Sequence, residues 1–281
     1  MRVIDSHQLR FGEMAGPLVH GAKFFDWQLI STQVFAREVG YSFEDLVADD
    51  AIPYAPVGVD TTVYRYPAFG ETVSVDVEAT HVGDSSLELV YEATDGDGEP
   101  LSTARMTHVT IAPEGGALSL PADVKQTLAD HRVDRTVDAG PGDDPESDPS
   151  RFPTFEESFS VNAPHIESSE LAYFEEYPRF ADVALESFLA ADGVSLAAIS
   201  GDRQPYRIRD WHWEFKSPVR FNSELAVESD VRAVDDDAIR VEHTFRTEGS
   251  VRISGVTEYG CFDRAGNPTT FTPDMLTPFE G

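Results

Sequence analysis

Two short stretches place acid–base side chains just ahead of predicted helices. Glu13 and His20 precede one apolar pattern at helical spacing, and Asn162 and His165 precede another. Carboxylate and imidazole groups exchange protons with substrates, and the N–H groups at a helix start stabilise negative charge. The same residue types also cap a helix start without any chemistry. Both stretches are therefore candidate acid–base sites, with capping as the alternative.

The segment 203–220 is locally basic in an acidic chain. Its basic side chains, set against only two acidic ones, are Arg203, Arg207, Arg209, Lys216 and Arg220. Trp211 and Trp213 share one face of a predicted strand within it. Arginine forks suit phosphate groups, and an indole such as Trp211 could stack on adenine. Alternatively, the tryptophans lie in the core and the arginines neutralise acids on neighbouring strands.

The elements that must position these residues are one helix and one sheet. Apolar residues recur at helical spacing within residues 16–40, and Gly40 stands where a helix would end. We therefore predict a single long, mostly buried helix in this stretch. From Val59 to Ile111, β-branched and aromatic residues alternate with polar ones, which predicts an antiparallel sheet that wraps the helix.

The same order of elements occurs twice. Residues 66–73 correspond to residues 217–225, and Gly70 then coincides with Asn222. Both residue types tolerate a positive φ, as a tight turn requires. Pro17 and Pro164 are also placed in register ahead of the two helices.

Between the copies the sequence is rich in acids, glycine and proline, which is typical of a linker. We predict an N-terminal repeat at 1–131, a linker at 132–153 and a C-terminal repeat at 154–281.

A helix followed by the segment YPAFGETV and a long alternating region resembles the hotdog thioesterases of the 4-hydroxybenzoyl-CoA and acyl-carrier-protein type. The resemblance implies an α+β fold of two hotdog repeats, each a long helix wrapped by an antiparallel sheet, that form a pseudo-dimer within one chain. It also implies hydrolysis of acyl-CoA or acyl-carrier-protein thioesters at the seam between the repeats, with coenzyme A present only as part of the substrate. The basic segment would then bind the coenzyme A phosphates.

The resemblance also implies roles for particular residues. By its distances from Arg10 and Gly16, Glu13 matches a family acid and would activate water. Asn162 and His165 match part of the Asp-x-Asn-x-His pattern of acyl-carrier-protein thioesterases, with Ser160 in place of the aspartate.

His20 stands where the family has an asparagine. Glu175 and Glu176 are alternative acids on the second helix, and Pro178 predicts a kink or break just beyond them. Since each repeat keeps only part of the pattern, we expect one working site and one degenerate site.

Two other functions fit the same fold. Residues 160–167 resemble the catalytic loop of MaoC-type enoyl-CoA hydratases, although Ser160 replaces the catalytic aspartate. A non-catalytic acyl-binding protein would keep the fold and lack turnover.

Charge dominates the composition, with 51 acidic residues against 21 basic ones and a net charge of −30. The acids are spread through an apolar-rich chain, which indicates a folded protein adapted to molar salt. Nucleic acid is an improbable partner because phosphate contacts need a basic face.

The composition also bears on location and cofactors. We predict a cytoplasmic protein without a membrane span, because no apolar run approaches 18 residues. A homo-oligomer of the pseudo-dimer is a further expectation. Cys261 is the single cysteine, and the histidines lack paired spacing, so no disulfide, metal site or bound cofactor is predicted.

Overall fold

The structure is a computed structural model that describes residues 1–142 and 151–280. The first half contains, in chain order, β1 (Arg2–Gln8), β2 (Met14–Ala15), β3 (Leu18–Val19), α1 (Lys23–Glu38), α2 (Phe43–Ala48), β4 (Ile52–Val63), β5 (Thr72–Val82), β6 (Ser86–Asp95), β7 (Pro100–Ile111) and α3 (Ala122–Asp130). The second half contains β8 (Thr154–Ser160), α4 (Glu176–Ala191), α5 (Leu196–Ile199), β9 (Arg203–Phe215), β10 (Glu224–Val234), β11 (Ala238–Thr247), β12 (Ser250–Asp263), β13 (Pro268–Thr269) and α6 (Pro273–Leu276).

One antiparallel sheet runs through both halves. Its order is β1-β5-β6-β7-β4-β9-β12-β11-β10-β8. From each outer edge to the centre of the sheet, the strands of the two halves follow the same order: β1-β5-β6-β7-β4 in the first half and β8-β10-β11-β12-β9 in the second. The halves join where β4 pairs with β9, with Asp60 opposite His212 at the centre of the paired region. The predicted α+β fold of two helix-and-sheet units that form an intrachain pseudo-dimer is thereby confirmed.

The first long helix is shorter than the sequence predicted. α1 begins at Lys23, whereas residues 14–19 form a tight hairpin of β2 and β3. Gly16 has a φ of +73°, which ends any helix there and turns the chain. The predicted end is confirmed, because Gly40 adopts a φ of +77° directly after the helix.

The predicted break at Pro178 is wrong. α4 runs from Glu176 to Ala191 through this proline. Pro178 lies in the first turn of the helix, where no intrahelical N–H bond is lost.

Backbone hydrogen bonds define the register between the repeats. The N–H of His20 donates to Glu13 O at 2.9 Å, and the N–H of Tyr173 donates to His165 O at 2.8 Å. Each helix begins three residues later. His20 therefore corresponds to Tyr173, and Glu13 to His165.

This register corrects one sequence alignment and confirms another. Pro164 corresponds to Gly12 and not to Pro17, which lies in the β2–β3 turn. Gly70 and Asn222 coincide as predicted, with φ values of +94° and +62°.

The apolar core is continuous across the seam. Phe25 of α1 stacks on Trp211 of β9 with the ring centroids 4.2 Å apart, and it also contacts Trp213 and Phe174. Trp211 and Trp213 are 0% and 1% exposed. The prediction that Trp211 stacks on adenine is therefore wrong, because burial leaves this ring no accessible face.

The described part of the linker follows the sheet surface. Val133 N–H donates to Ala79 O, and Arg135 forms ion pairs with Glu78 and Glu92. Further along, Gly140 N–H donates to the Thr62 hydroxyl next to the seam. Residues 143–150 of the predicted linker lie outside the described residues. Among the helices of the described residues, none is long and apolar enough to cross a membrane.

Candidate active site

Two cavities lie along the seam, each between the helix start of one repeat and the side of the other repeat's helix. The first has a volume of about 360 Å³ and lies between residues 15–21, α4 and the start of β9. The second, of about 790 Å³, lies between residues 167–174, α1, α2 and the start of β4. They are therefore pseudo-symmetric positions in one architecture, and their side chains can be compared one by one.

Asp182 contributes a carboxylate to the first cavity. It lies on the same face of α4 as Leu185 and Leu189, which come three and seven residues later and line the same cavity. Burial raises the pKa of Asp182 to about 8, although Arg207 and Arg179 oppose the shift. No hydrogen bond to this carboxylate occurs within residues 1–142 and 151–280, so its oxygens remain available to water in the cavity.

His20 enters the first cavity from the other repeat. Its Nδ1 accepts a hydrogen bond from Ala22 N–H at 3.1 Å, which assigns the proton of the neutral ring to Nε2. Burial, with the charges of Arg179, Arg207 and Lys23, lowers the pKa of His20 to about 4. At neutral pH the imidazole is therefore an uncharged hydrogen-bond donor.

Backbone and arginine groups complete the first cavity. Gly21 lies on its wall at the start of α1, and its N–H finds no acceptor in the described part of the chain. Arg207 donates from Nη2 to Ala15 O at 2.5 Å and to Gln204 Oε1 at 3.2 Å, which holds β9 against the hairpin of the first repeat. Donors for a developing oxyanion and a carboxylate for water thus line the same cavity.

The second cavity lacks the side-chain groups of the first. In the repeat register, Leu29 is equivalent to Asp182, Phe174 to Gly21, Tyr173 to His20 and Ala55 to Arg207. A backbone N–H is present at Phe174 as at Gly21, but the phenol of Tyr173 is already engaged, since it donates to Asp26 at 2.6 Å. The second cavity is mostly apolar, and the small side chain of Ala55 leaves room where the first cavity has an arginine.

The other sequence-predicted acid–base residues line neither cavity. The carboxylate of Glu13 is bonded to His7 Nε2 at 2.9 Å and accepts from Arg10 N–H at 2.6 Å. At the equivalent turn, His165 Nδ1 accepts from Asn162 N–H at 3.1 Å. In each case the side chain accepts from the backbone N–H three residues earlier and closes a short 3₁₀ turn. This is the capping role that was the alternative to acid–base chemistry.

The basic segment does not form one patch. Arg207 reaches the first cavity and Lys216 the second, at opposite ends of β9. Arg209 is held in ion pairs with Asp210, Asp237 and Glu258. For Arg209, the alternative that strand arginines neutralise neighbouring acids is correct.

Arg203 and Arg220 line neither cavity. Arg203 is half-buried at the first residue of β9. Arg220 is exposed, and its backbone pairs with Leu171.

Glu175 and Glu176 also lie outside both cavities. Glu175 is buried between Lys23 and Arg179 at the meeting point of the two helix starts. Two other acids of the second helix, Asp182 and the more exposed Glu186, do line the first cavity, and sequence reasoning missed both. Asp182 is the less exposed of the two. Its signal was an aspartate at apolar-stripe spacing on an otherwise amphipathic helix.

Comparison with known proteins supports this architecture. Residues 165–279 match the family model of the thioesterase-like superfamily. No curated protein sequence matches the chain significantly.

Solved structures resemble the whole chain. A protein of Lactobacillus plantarum, assigned as an oleoyl thioesterase, has a TM-score of 0.72 at 11% identity, covering 96% of this chain and 98% of its own. The C-terminal half thus matches the thioesterase-like superfamily, and the whole chain has the fold of two hotdog repeats.

Two further structures have the same tandem fold. The 12:0-ACP thioesterase of Umbellularia californica has a TM-score of 0.70 at 14% identity, with 96% and 94% of the two chains covered. An acyl-ACP thioesterase of Bacteroides thetaiotaomicron has a TM-score of 0.64 at 13% identity, with 92% and 97% covered. At these identities the likeness concerns the fold, and the chemistry must be argued from the cavities.

Proposed function

We propose that this protein hydrolyses acyl thioesters in the first cavity, with Asp182 as the general base. The observation that carries the proposal is the convergence of Asp182 from one repeat with His20 and Gly21 from the other in one cavity. Thioester hydrolysis needs a base for water and donors for the carbonyl oxygen, and this cavity offers both. The second cavity has the same architecture without the carboxylate.

The chemistry follows from the geometry. Water attacks the thioester carbonyl carbon and gives its proton to the ionised form of Asp182, which is the minor form at neutral pH because its pKa is about 8. The carbonyl oxygen becomes an oxyanion that accepts hydrogen bonds from His20 Nε2–H and Gly21 N–H. When the tetrahedral intermediate collapses, the C–S bond breaks and the proton on Asp182 passes to the leaving thiolate, so that a carboxylic acid and a free thiol are the products.

Glu13 was the base predicted from the family resemblance. To act on water at the seam, its carboxylate would have to leave His7 and the N–H of Arg10. We therefore assign Glu13 to the turn ahead of α1, and water activation to Asp182.

Acyl-CoA and acyl-carrier-protein thioesters are the proposed substrates. The superfamily match and the acyl-ACP thioesterases among the similar structures support this class. Arg207 on the cavity wall is the group we assign to an anionic part of the donor.

The test is thiol release from a panel of acyl-CoA thioesters in 2 M KCl. Asp182→Asn should lower kcat by about 10²-fold or more. Two matched controls remove other carboxylates: Glu186→Gln changes an exposed acid on the wall of the same cavity, and Glu13→Gln changes the acid of the turn. Both should retain most activity. Full activity of Asp182→Asn, or loss confined to Glu13→Gln, would overturn the assignment.

His20 is tested separately. His20→Ala should lower kcat by about 10²-fold with a smaller change in KM, because it removes a donor needed mainly in the transition state. His20→Gln restores an N–H donor and should recover part of the loss. Equal activity of both variants with the wild type would exclude His20 as a donor to the oxyanion.

A further inference from the structure

The second seam cavity is larger than the first and has lost the carboxylate and the imidazole that the proposed reaction uses. Its volume is about 790 Å³, against about 360 Å³ for the first. Leu29 and Phe174 stand where the first cavity has Asp182 and Gly21. A degenerate site under no constraint would fill with side chains, because protein interiors are close-packed. Here the acid–base groups are gone while the space is enlarged.

The walls of this cavity suit an alkyl chain. Aliphatic and aromatic side chains from both repeats dominate them, among them Leu29, Phe43, Val109, Phe174, Tyr177 and Phe215. Phe43 is itself stacked on the buried Tyr54, which stabilises one wall. Ligand cavities of this size with mostly apolar walls and a few polar groups are typical sites for small amphipathic molecules.

One cationic group lies on the wall. Of the three lysines, Lys23 pairs with Asp26 and Glu175, and Lys125 pairs with Asp84. Lys216 is exposed, lines the cavity, and its amine meets no acceptor in the described part of the chain.

Two acids also line this cavity, and both have partners. Glu44 pairs with Arg37, and the carboxylate of Glu167 accepts from Ser168 and from Ser169 N–H. The ammonium group of Lys216 is therefore the positive charge that the described residues of this wall offer to a ligand. The backbone of Lys216 is held in place, because its N–H donates to Arg252 O at 2.8 Å.

We propose that the second cavity binds a free fatty acid without turning it over, the alkyl chain lying among the apolar walls and the carboxylate pairing with Lys216. In a protein of net charge −30, one unpaired lysine beside an apolar cavity is a charge-complementary feature for an anionic head group. The binding does not depend on the proposed hydrolysis, since no group of the first cavity takes part in it.

The probe is potassium dodecanoate below its micelle concentration, titrated into the full chain in 2 M KCl and followed by calorimetry. One equivalent should bind to the wild type. Ala55→Trp, which fills the cavity, should abolish binding, and Lys216→Met should weaken it about tenfold. Lys125→Met is the matched control for loss of a surface lysine, and it should bind like the wild type. Thermal unfolding of each variant verifies that it is folded.

Asp182→Asn separates this inference from the proposed function. It should bind dodecanoate normally while losing thiol release, because the two cavities are distinct. Loss of dodecanoate binding in Asp182→Asn, no binding to the wild type, or equal binding to Ala55→Trp and Lys216→Met would each overturn the fatty-acid site. Unchanged thiol release in Asp182→Asn with normal dodecanoate binding would overturn only the proposed function.

Discussion

At the scale of single residues, the two seam cavities differ by a few substitutions on one backbone design. Leu29 in place of Asp182 removes the carboxylate, and Ala55 in place of Arg207 removes a long charged side chain, so that the second space is larger and more apolar. Burial in the first cavity also shifts two titrations: it raises the pKa of Asp182 to about 8 and lowers that of His20 to about 4. A carboxylate that is hard to ionise and an imidazole that is hard to protonate are typical of functional sites.

The raised pKa of Asp182 makes folding stability depend on pH. Its ordinary value is 3.8, so between about pH 4 and pH 8 the folded state holds a proton that the unfolded state releases. Stability therefore falls as the pH rises through this window. Asp182→Asn removes the effect, and its free energy of unfolding should exceed that of the wild type by roughly 1–3 kcal/mol near pH 8 and by little near pH 4.

Urea unfolding at several pH values in constant KCl measures this difference. Glu186→Gln is the comparison for loss of an exposed acid on the same helix; because the charge of Glu186 contributes to the raised pKa of Asp182, this variant should keep the fall of stability with pH over a slightly narrower window. A constant difference between Asp182→Asn and the wild type from pH 4 to pH 8 would contradict the assigned pKa.

At the scale of elements, the helix starts and turns decide how the repeats meet. Lys23, Asp26, Tyr173, Glu175 and Arg179 form one polar cluster between the starts of α1 and α4. The cluster lies between the two cavities and links residues of both repeats. Because its members are mostly buried and paired, it favours one arrangement of the two helices.

A turn of the second repeat also docks on the first. Gly266, between β12 and β13, accepts a hydrogen bond from Tyr66 N–H at 3.0 Å and has a φ of +84°. A Cβ at this position would lie 1.8 Å from Tyr66 O. Gly266→Ala should therefore destabilise the protein by about 3 kcal/mol or more.

Gly98 provides the matched control for that substitution. Its φ is +87°, but a Cβ there would meet open space. Gly98→Ala should cost only about 1 kcal/mol of backbone strain. Equal losses for the two variants in urea unfolding would show that the contact with Tyr66 does not limit the docking of the repeats.

At the scale of the whole molecule, the acidic net charge affects the stability of the entire fold. A net charge of −30 on one continuous fold produces self-repulsion that salt screens, with a Debye length of about 10 Å at 0.1 M and about 3 Å at 1 M. The adaptation to molar salt predicted from composition thus remains a prediction with a direct test. Raising KCl from 0.1 to 2 M should increase the midpoint of thermal unfolding by roughly 10 °C.

Sucrose at equal osmolality controls for the general exclusion of solutes from protein surfaces. An equal increase in sucrose and in KCl would indicate that screening of charge is not the cause. A decrease of the midpoint in 2 M KCl would contradict the prediction outright.

The fold class and the duplicated order of elements could be predicted from the sequence. Apolar periodicity, Gly40 and the matched turns at Gly70 and Asn222 depend on local backbone preferences, which are readable residue by residue. The same reasoning places the start of α1 too early, because it carries the helical pattern through Gly16 and Pro17, a dipeptide that favours a turn and here joins β2 to β3.

Which side chains share a cavity depends on contacts between the two repeats and could not be predicted from local sequence. Asp182 and His20 are separated by more than half of the chain, and they meet because β4 pairs with β9 and brings the side of α4 to the start of α1. Trp211 was misjudged for the same reason, since the partner that buries it, Phe25, comes from the other repeat. Local patterns report which face of an element is apolar, whereas the seam between the repeats determines what that face contacts.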